Sequence, residues 1–128
     1  MKKGKVRTCS TEKSVEYKEK LFSLLRELKE EQTVVEGIKD KRALEKMGFS
    51  DAHTINRNKG LYELAARFTG KILVLTDFDP EGEKLAKKLS ELLKKTGCKV
   101  DSSNRQRLRR LFLKNKINTV EGLRNLSS

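Results

Sequence analysis

Tryptophan is absent from this 128-residue chain, proline occurs once, as Pro80, and histidine once, as His53. A single proline leaves little rigid turn scaffolding, so elaborated loops are not expected. Cysteine is confined to Cys9 and Cys98. Two distant thiols and one histidine make no zinc-binding pattern, and both thiols are expected to be reduced. No apolar stretch approaches the roughly 20 residues that a membrane-spanning helix needs. The lysines of Met1-Lys2-Lys3-Gly4-Lys5 have no apolar stretch behind them, which argues against a signal peptide and for a cytoplasmic protein. Aromatics are scarce, five Phe and two Tyr, so stacking on single-stranded bases is disfavoured against backbone- or shape-directed binding. A glycine-rich phosphate loop is also missing, which weakens the case for a nucleotide- or phosphate-binding domain.

Charge, in contrast, is abundant. Charged residues make up 38% of the chain and hydrophobic residues 35%, and 30 Lys and Arg against 18 Asp and Glu give a net charge of +12. A chain of this size forms one domain with one modest core. Its basic balance favours a polyanionic partner, nucleic acid above all; a merely solvated surface is the alternative. From Ser102 to Val120 there is no acid, yet Arg105, Arg107, Arg109, Arg110, Lys114 and Lys116 all fall there. That is a basic patch rather than mixed charge.

Hydrophobic periodicity divides the chain into alternating elements. Residues 1–10 read as a basic, loosely ordered arm. Thr11 to Glu31 reads as a helix with Leu21, Leu25 and Leu28 at helical spacing. Short strands are expected at 33–36, 53–56, 71–76 and 98–101. Helices are expected at 39–47, 61–68, 81–96 and 105–116, with Gly48, Gly70 and Gly97 as stops. Thr119 caps a last turn that runs to Leu126. Strands alternating with helices predict a mostly parallel four-stranded sheet with helices on both faces.

The chemistry concentrates where apolar runs end in acids. Ile72-Leu73-Val74-Leu75-Thr76 gives way to Asp77-Phe78-Asp79-Pro80-Glu81-Gly82, and Thr33-Val34-Val35 gives way to Glu36-Gly37 with Asp40 close behind. Each is a buried strand delivering carboxylates to its C-terminal edge, where open α/β sheets bind ligands. If the two strands are neighbours, Glu36, Asp77 and Asp79 crowd together and need a counter-charge. Mg²⁺, or Mn²⁺ in its place, accepts such carboxylates while keeping positions for a phosphate. Glu36, if not a ligand, can act as general acid or base. Asp40, Glu81 and Glu83 are further acids of the same region, although acids in a first helical turn are also favoured by the macrodipole alone. Gly37 and Gly82 would let backbone approach a ligand closely; ordinary turn glycines are the alternative.

These residues resemble the toprim domain of type IA and type II topoisomerases, bacterial primases, recombination proteins of the RecR type and the ribonucleases that mature small ribosomal RNA. Val34-Val35-Glu36-Gly37 resembles the family's first motif, a Glu-Gly ending the first strand. Asp77-Phe78-Asp79-Pro80-Glu81-Gly82 resembles its second, an Asp-x-Asp after a later strand. The resemblance covers about residues 30 to 101 and is greatest to the small standalone toprim proteins and the maturation ribonucleases. It departs at Ile38, where the ribonucleases often carry lysine directly after the glycine; here the lysine is Lys39. The resemblance implies a single compact toprim-like α/β domain over residues 11–128, with core 30–101 and the basic helix 105–116 appended. It implies that Asp77 and Asp79 bind Mg²⁺, that Glu36 is general acid/base or a further ligand, and that Gly37, Asp40, Glu81 and Gly82 support them. Phosphodiester chemistry on RNA or DNA is the implied activity.

Within the family some activities fit poorly. Topoisomerases use a nucleophilic tyrosine in a separate domain, and Tyr17 and Tyr62 both fall in expected helices, where partial burial is anticipated. Primases need further zinc-binding and helicase-contact domains. A phosphatase of the haloacid dehalogenase type would want Asp-x-Asp-x-Thr, but position 81 is Glu. A nuclease of RNA processing or DNA repair fits best; a non-catalytic metal- and nucleic-acid-binding module of a larger complex is the alternative. For nucleic acid, Arg107, Arg110 and Lys114 form one outward stripe of the helix 105–116, beside an apolar stripe of Leu108, Leu111 and Phe112. Arg57 and Lys59, in the loop after the second strand, are further candidate phosphate contacts.

Overall fold

The computed structural model describes residues 2–55 and 58–126, with side chains from Ser14 onward. In chain order the elements are α1 (Lys2–Leu28), β1 (Thr33–Val35), α2 (Ile38–Lys46), β2 (Ala52–Thr54), α3 (Leu61–Ala66), β3 (Lys71–Val74), α4 (Pro80–Lys95), β4 (Lys99–Val100), α5 (Ser102–Lys114) and a 3-10 turn (Glu121–Asn125). The expected elements are all present, shifted by a few residues at their ends. One difference is larger. The backbone of residues 2–10, expected as a loosely ordered arm, continues α1; its lysines and arginine are good helix formers.

The four strands are all parallel, in the order β2-β1-β3-β4. Chain order reverses direction across the sheet between β1 and β3, which makes their C-terminal ends the topological switch point. The central strands β1 and β3 are buried on both faces apart from Lys71 at the start of β3, and their side chains alternate between two cores. Val35, Leu73 and Leu75 pack with Leu21, Leu24, Leu25 and Leu28 of α1, Leu44 of α2, and Leu108 and Phe112 of α5. Val34, Ile72 and Val74 pack with Leu64 and Phe68 at α3 and with Ala86, Leu89 and Leu93 of α4. Cys98 is buried in this second core as a free thiol and donates to the Phe68 carbonyl at 3.2 Å.

The junction from β3 into α4 is packed tightly. Asp79 caps α4 by accepting from the Gly82 amide at 2.7 Å, and Pro80 occupies the first turn, where its missing N–H costs nothing. The Thr76 hydroxyl donates to the Gly82 carbonyl at 2.7 Å. A Cβ at Gly82 would overlap the Asp77 carbonyl oxygen and come within 2.7 Å of its carbon. Glycine is required here by close backbone approach, not by an unusual φ.

Arg105 of α5 ties this junction to the sheet. Its Nη1 donates to the carbonyls of Val74 at 3.0 Å and Thr76 at 3.1 Å, and its Nη2 to Asp77 at 3.4 Å and to Glu83 Oε1 at 2.6 Å. The guanidinium lies 4.7 Å from the centroid of Phe78. Among the residues read as a basic patch, Arg105 is thus turned inward and buried, because the carbonyls beyond β3 need donors and the planar fork supplies several at once.

A second buried polar group lies beside β3. Burial, and then the neighbouring Asp101, push the Glu31 carboxyl up to about 7. Burial works against ionised Asp101 too, but hydrogen bonds from Glu31 and Asn104 and the Lys71 ammonium hold it down to about 2. The Lys71 Nζ sits 3.8 Å from Glu31 and 3.6 Å from Asp101. Glu31 Oε1 is buried and has no hydrogen-bond partner among the described residues, the Lys71 ammonium standing beyond hydrogen-bond reach. A proton on Glu31, shared with Asp101, relieves both groups.

Two predictions follow from this packing. Gly82→Ala is expected to destabilise by about 3 kcal/mol or more, since backbone must move to admit the methyl group; urea unfolding measures it, and a loss under ~0.5 kcal/mol would contradict the close approach. Glu31 carries a raised folded-state pKa, so its contribution to stability is present below about pH 4.5 and is lost as pH rises through about 7. Glu31→Gln keeps a neutral donor and removes that loss. Relative to wild type the variant gains on the order of 1 kcal/mol between pH 5 and pH 8, and an equal difference at both pH values would refute the shared proton.

Candidate functional site

β1 and β3 are hydrogen-bonded neighbours, and the Leu75 amide reaches the Val34 carbonyl at 2.8 Å. The two chains therefore leave the sheet side by side. At that edge the Asp77 amide donates to Glu36 Oε2 at 2.8 Å, joining residues 41 positions apart. Asp77 Oδ1 accepts from the Val120 amide at 3.0 Å. Asp79 Oδ1 is the α4 cap described above. Asp40, buried in the first turn of α2, accepts from the Gly37 amide at 3.1 Å through Oδ2 and from the Glu121 amide at 2.9 Å through Oδ1. Glu36, Asp77, Asp79 and Asp40 thus gather at the switch point.

Their electrostatics show the crowding. Burial, and then the charges of Asp40, Glu36 and Asp79, push the Asp77 carboxyl up to about 6 against the opposing Val120 amide. Burial raises Asp40 as well, despite its two amide donors. One oxygen each of Glu36, Asp77 and Asp79 is held by backbone, and the other has no hydrogen-bond partner among the described residues. Among those residues no three carboxylates stand close enough together to enclose a metal ion by themselves. The donor set consists of hard oxygen ligands carrying uncompensated charge, and it fits Mg²⁺ or Mn²⁺ with further ligands from water or phosphate.

Other expected site residues are distributed differently. Glu81 is exposed on the first turn of α4. Glu83 faces away from the cluster and binds Arg105 at 2.6 Å and Arg109 at 2.7 Å. Burial works against its charge, but the two guanidiniums hold its carboxyl below the ordinary value. Gly37 is an extended N-cap with φ −141°, and a Cβ there would meet only Asp40 Oδ2 at 3.8 Å. Within the chain, then, neither close packing nor positive φ demands glycine at position 37.

The C-terminal turn is a component that sequence reasoning missed. Besides the Val120 and Glu121 amides, the Asn118 carbonyl accepts from the Phe78 amide at 2.6 Å. Residues 118–121 therefore form a wall of the site and orient two of its carboxylates. The sequence signal was only Thr119 as a cap, and its Oγ1 does accept from the Gly122 amide at 3.1 Å. Nothing local reveals that this turn packs against strand ends 40 and 80 residues earlier.

Of the basic candidates, Arg57 lies outside the described residues, and Lys59 is exposed in the loop before α3. Arg107 and Arg110 are exposed on α5; Arg107 donates to Asn104 Oδ1 at 2.9 Å. Lys114 is drawn onto α1, with its Nζ 4.6 Å from the Tyr17 ring centroid. Tyr62, expected to be partly buried, is 62% exposed.

The toprim domain profile matches residues 3–105. A UPF0292 protein of Thermococcus onnurineus is 40% identical over 111 residues, covering 84% of this chain and 81% of the relative. A UPF0292 protein of Methanocaldococcus jannaschii is 34% identical over 121 residues, covering 88% and 89%. A solved structure of an Aquifex aeolicus protein superposes with a TM-score of 0.62 at 28% identity, covering 84% of this chain and 94% of that one. With the profile match over most of its length and a Glu-Gly and an Asp-x-Asp meeting at the switch point of a parallel sheet, the chain belongs to the toprim domain family.

Proposed function

We propose that this protein is a Mg²⁺-dependent enzyme that cleaves phosphodiester bonds in RNA or DNA, a nuclease of processing or repair. The observation that carries this reading is the meeting of Glu36, Asp77 and Asp79 at one sheet edge, with Asp77 raised to about 6 by burial and by its acidic neighbours. Toprim membership supports a metal-dependent role on nucleic acid, and the net charge of +12 supports a polyanionic partner.

In this reading Asp77 and Asp79 would hold the ion, each having one oxygen that backbone does not engage. The ion supplies charge neutralisation on the phosphate oxygens during cleavage. Glu36 transfers the proton; its Oε2 is fixed by the Asp77 amide, which leaves Oε1 for that transfer. Asp40 stays a positioning residue, since both its oxygens are engaged by amides. The α2 and C-terminal turns keep the carboxylates oriented before substrate arrives.

Asp79 requires a careful substitution, because Ala would also remove a helix cap worth about 1 kcal/mol. Asp79→Asn keeps the cap and removes the charge. With labelled structured RNA, single-stranded DNA and duplex DNA in Mg²⁺ or Mn²⁺, wild type is expected to cleave and Asp79→Asn to fall to background while unfolding at the same urea concentration. Undiminished cleavage by the variant would rule out the site. No cleavage by wild type would instead favour a non-catalytic metal- and nucleic-acid-binding module.

Asp77→Asn separates stability from function. The raised pKa means that folding disfavours the ionised carboxylate above about pH 6. Without metal at pH 8 the variant is expected to be more stable than wild type by on the order of 1 kcal/mol, and to lose Mn²⁺ binding in calorimetric titration. A destabilised variant that still bound Mn²⁺ would contradict both parts.

A further inference from the structure

A cleft of about 270 Å³ opens between α2 and the C-terminal 3-10 turn, lined by Lys39, Arg42, Ala43, Lys46 and Arg124. Four of its five lining residues are cations and none is an acid. Lys39, Arg42 and Lys46 recur at intervals of three and four along α2, so they form one stripe, and all three are exposed. Ala43 is buried and forms the floor. Arg124 closes the opposite wall, 3.9 Å from Glu121. A second cleft of about 360 Å³, lined by Thr119, Glu121, Gly122, Arg124 and Asn125, adjoins it at Arg124.

The two walls of the basic cleft are the elements that build the acidic site. α2 starts immediately after Glu36 and Gly37, and Asp40 lies next to Lys39 in its first turn. The turn carrying Arg124 begins with the amides that hold Asp77 and Asp40. The stripe therefore starts beside the carboxylates and leads away from them. From Lys39 to Lys46 it rises about 10 Å along the helix. At about 3.4 Å of axis per nucleotide, that matches roughly three phosphates of one strand.

We propose that this cleft is the track on which the phosphate backbone of the nucleic-acid substrate lies, flanking the bond at the acidic site, with Arg42 and Lys46 as its phosphate contacts farthest from that site. The assignment rests on the phosphodiester reading above and gives the substrate backbone a path away from the acidic site. It also moves the main binding surface from α5, where Lys114 is drawn onto Tyr17 and Arg107 bonds to Asn104, to α2. The geometry favours backbone recognition, because the cleft offers cations and no aromatic ring.

The test is fluorescence anisotropy with a labelled single-stranded 20-mer, as RNA and as DNA, across a salt series. Three double variants lose the same charge: Arg42→Gln with Lys46→Gln, Arg107→Gln with Arg110→Gln, and Lys87→Gln with Lys88→Gln on the outer side of α4. Each released phosphate contact lowers the slope of log affinity against log salt by about 0.7 on a single strand. The α2 pair is expected to reduce the slope by about 1.4 and weaken binding at least 10-fold in low salt, with Mn²⁺ binding and urea unfolding unchanged; the α4 pair should retain the wild-type slope. A wild-type slope in the α2 pair, or an equal reduction in the α4 pair, overturns the track while leaving the cleavage reading in place. A reduction in the α5 pair alone also overturns it. Wild type that binds neither probe overturns the track, and the cleavage reading is then decided separately by the structured RNA and duplex DNA substrates above.

Discussion

The buried guanidinium of Arg105 is the interaction on which the site edge depends. From Val74 onward the strand runs out of its ladder, yet its carbonyls remain inside the protein and need donors. Arg105 satisfies three of them, binds Glu83 and lies on Phe78. In doing so it fastens α5, β3 and the first turn of α4 to one another. Burying a charge is costly unless its donors are filled, and here they are filled by backbone and by an anion. Lysine could not substitute, since a single ammonium cannot span carbonyls and carboxylate in this planar arrangement. The path of Thr76 to Asp79, and so the direction of Asp77, follows from this arrangement.

On that framework the protein holds like charges in proximity. Four carboxylates converge at the switch point, where burial first and the acidic neighbours second raise Asp77 and Asp40. Backbone amides from α2, the α4 turn and the C-terminal turn offset part of the cost by fixing one oxygen of each acid, or both in the case of Asp40. What remains uncompensated is the electrostatic incentive to take up a cation. Stability is given up at this edge, a pattern common for functional sites. Asp77, Asp79 and Glu36 thus each serve the fold through one oxygen and leave the other unengaged among the described residues.

Basic charge is divided between structural and solvent-facing positions, and the division does not follow its density in the sequence. The acid-free run from Ser102 to Val120 is the most basic stretch, yet Arg105 and Arg109 are paired with Glu83, and Lys114 lies on Tyr17. α2, unremarkable in composition, presents three cations on one stripe beside the acids. A patch read along the chain counts charges, whereas a partner meets only those that packing leaves outward.

Much of the fold was legible in the sequence because its signals are local. Apolar runs of four or five residues, helical leucine spacing, Asp79-Pro80 as a helix start and Gly48 and Gly97 as stops each record a short-range preference of the backbone. Glu36, Asp77 and Asp79 could be singled out because acids ending buried strands conflict with burial unless they serve a ligand. Other features depend on contacts across tens of residues, which no local pattern encodes. The pairing of β1 with β3 brings Glu36 to the Asp77 amide; the return of the chain end places Val120 and Glu121 against Asp77 and Asp40; the packing of α5 turns Arg105 inward. The sequence by itself determined the alternation of strand and helix and the acids at two strand ends, since these follow from periodicity and side-chain chemistry. Only the tertiary structure decided which charges meet, which are neutralised and which face solvent, because electrostatic partners are set by distance in space.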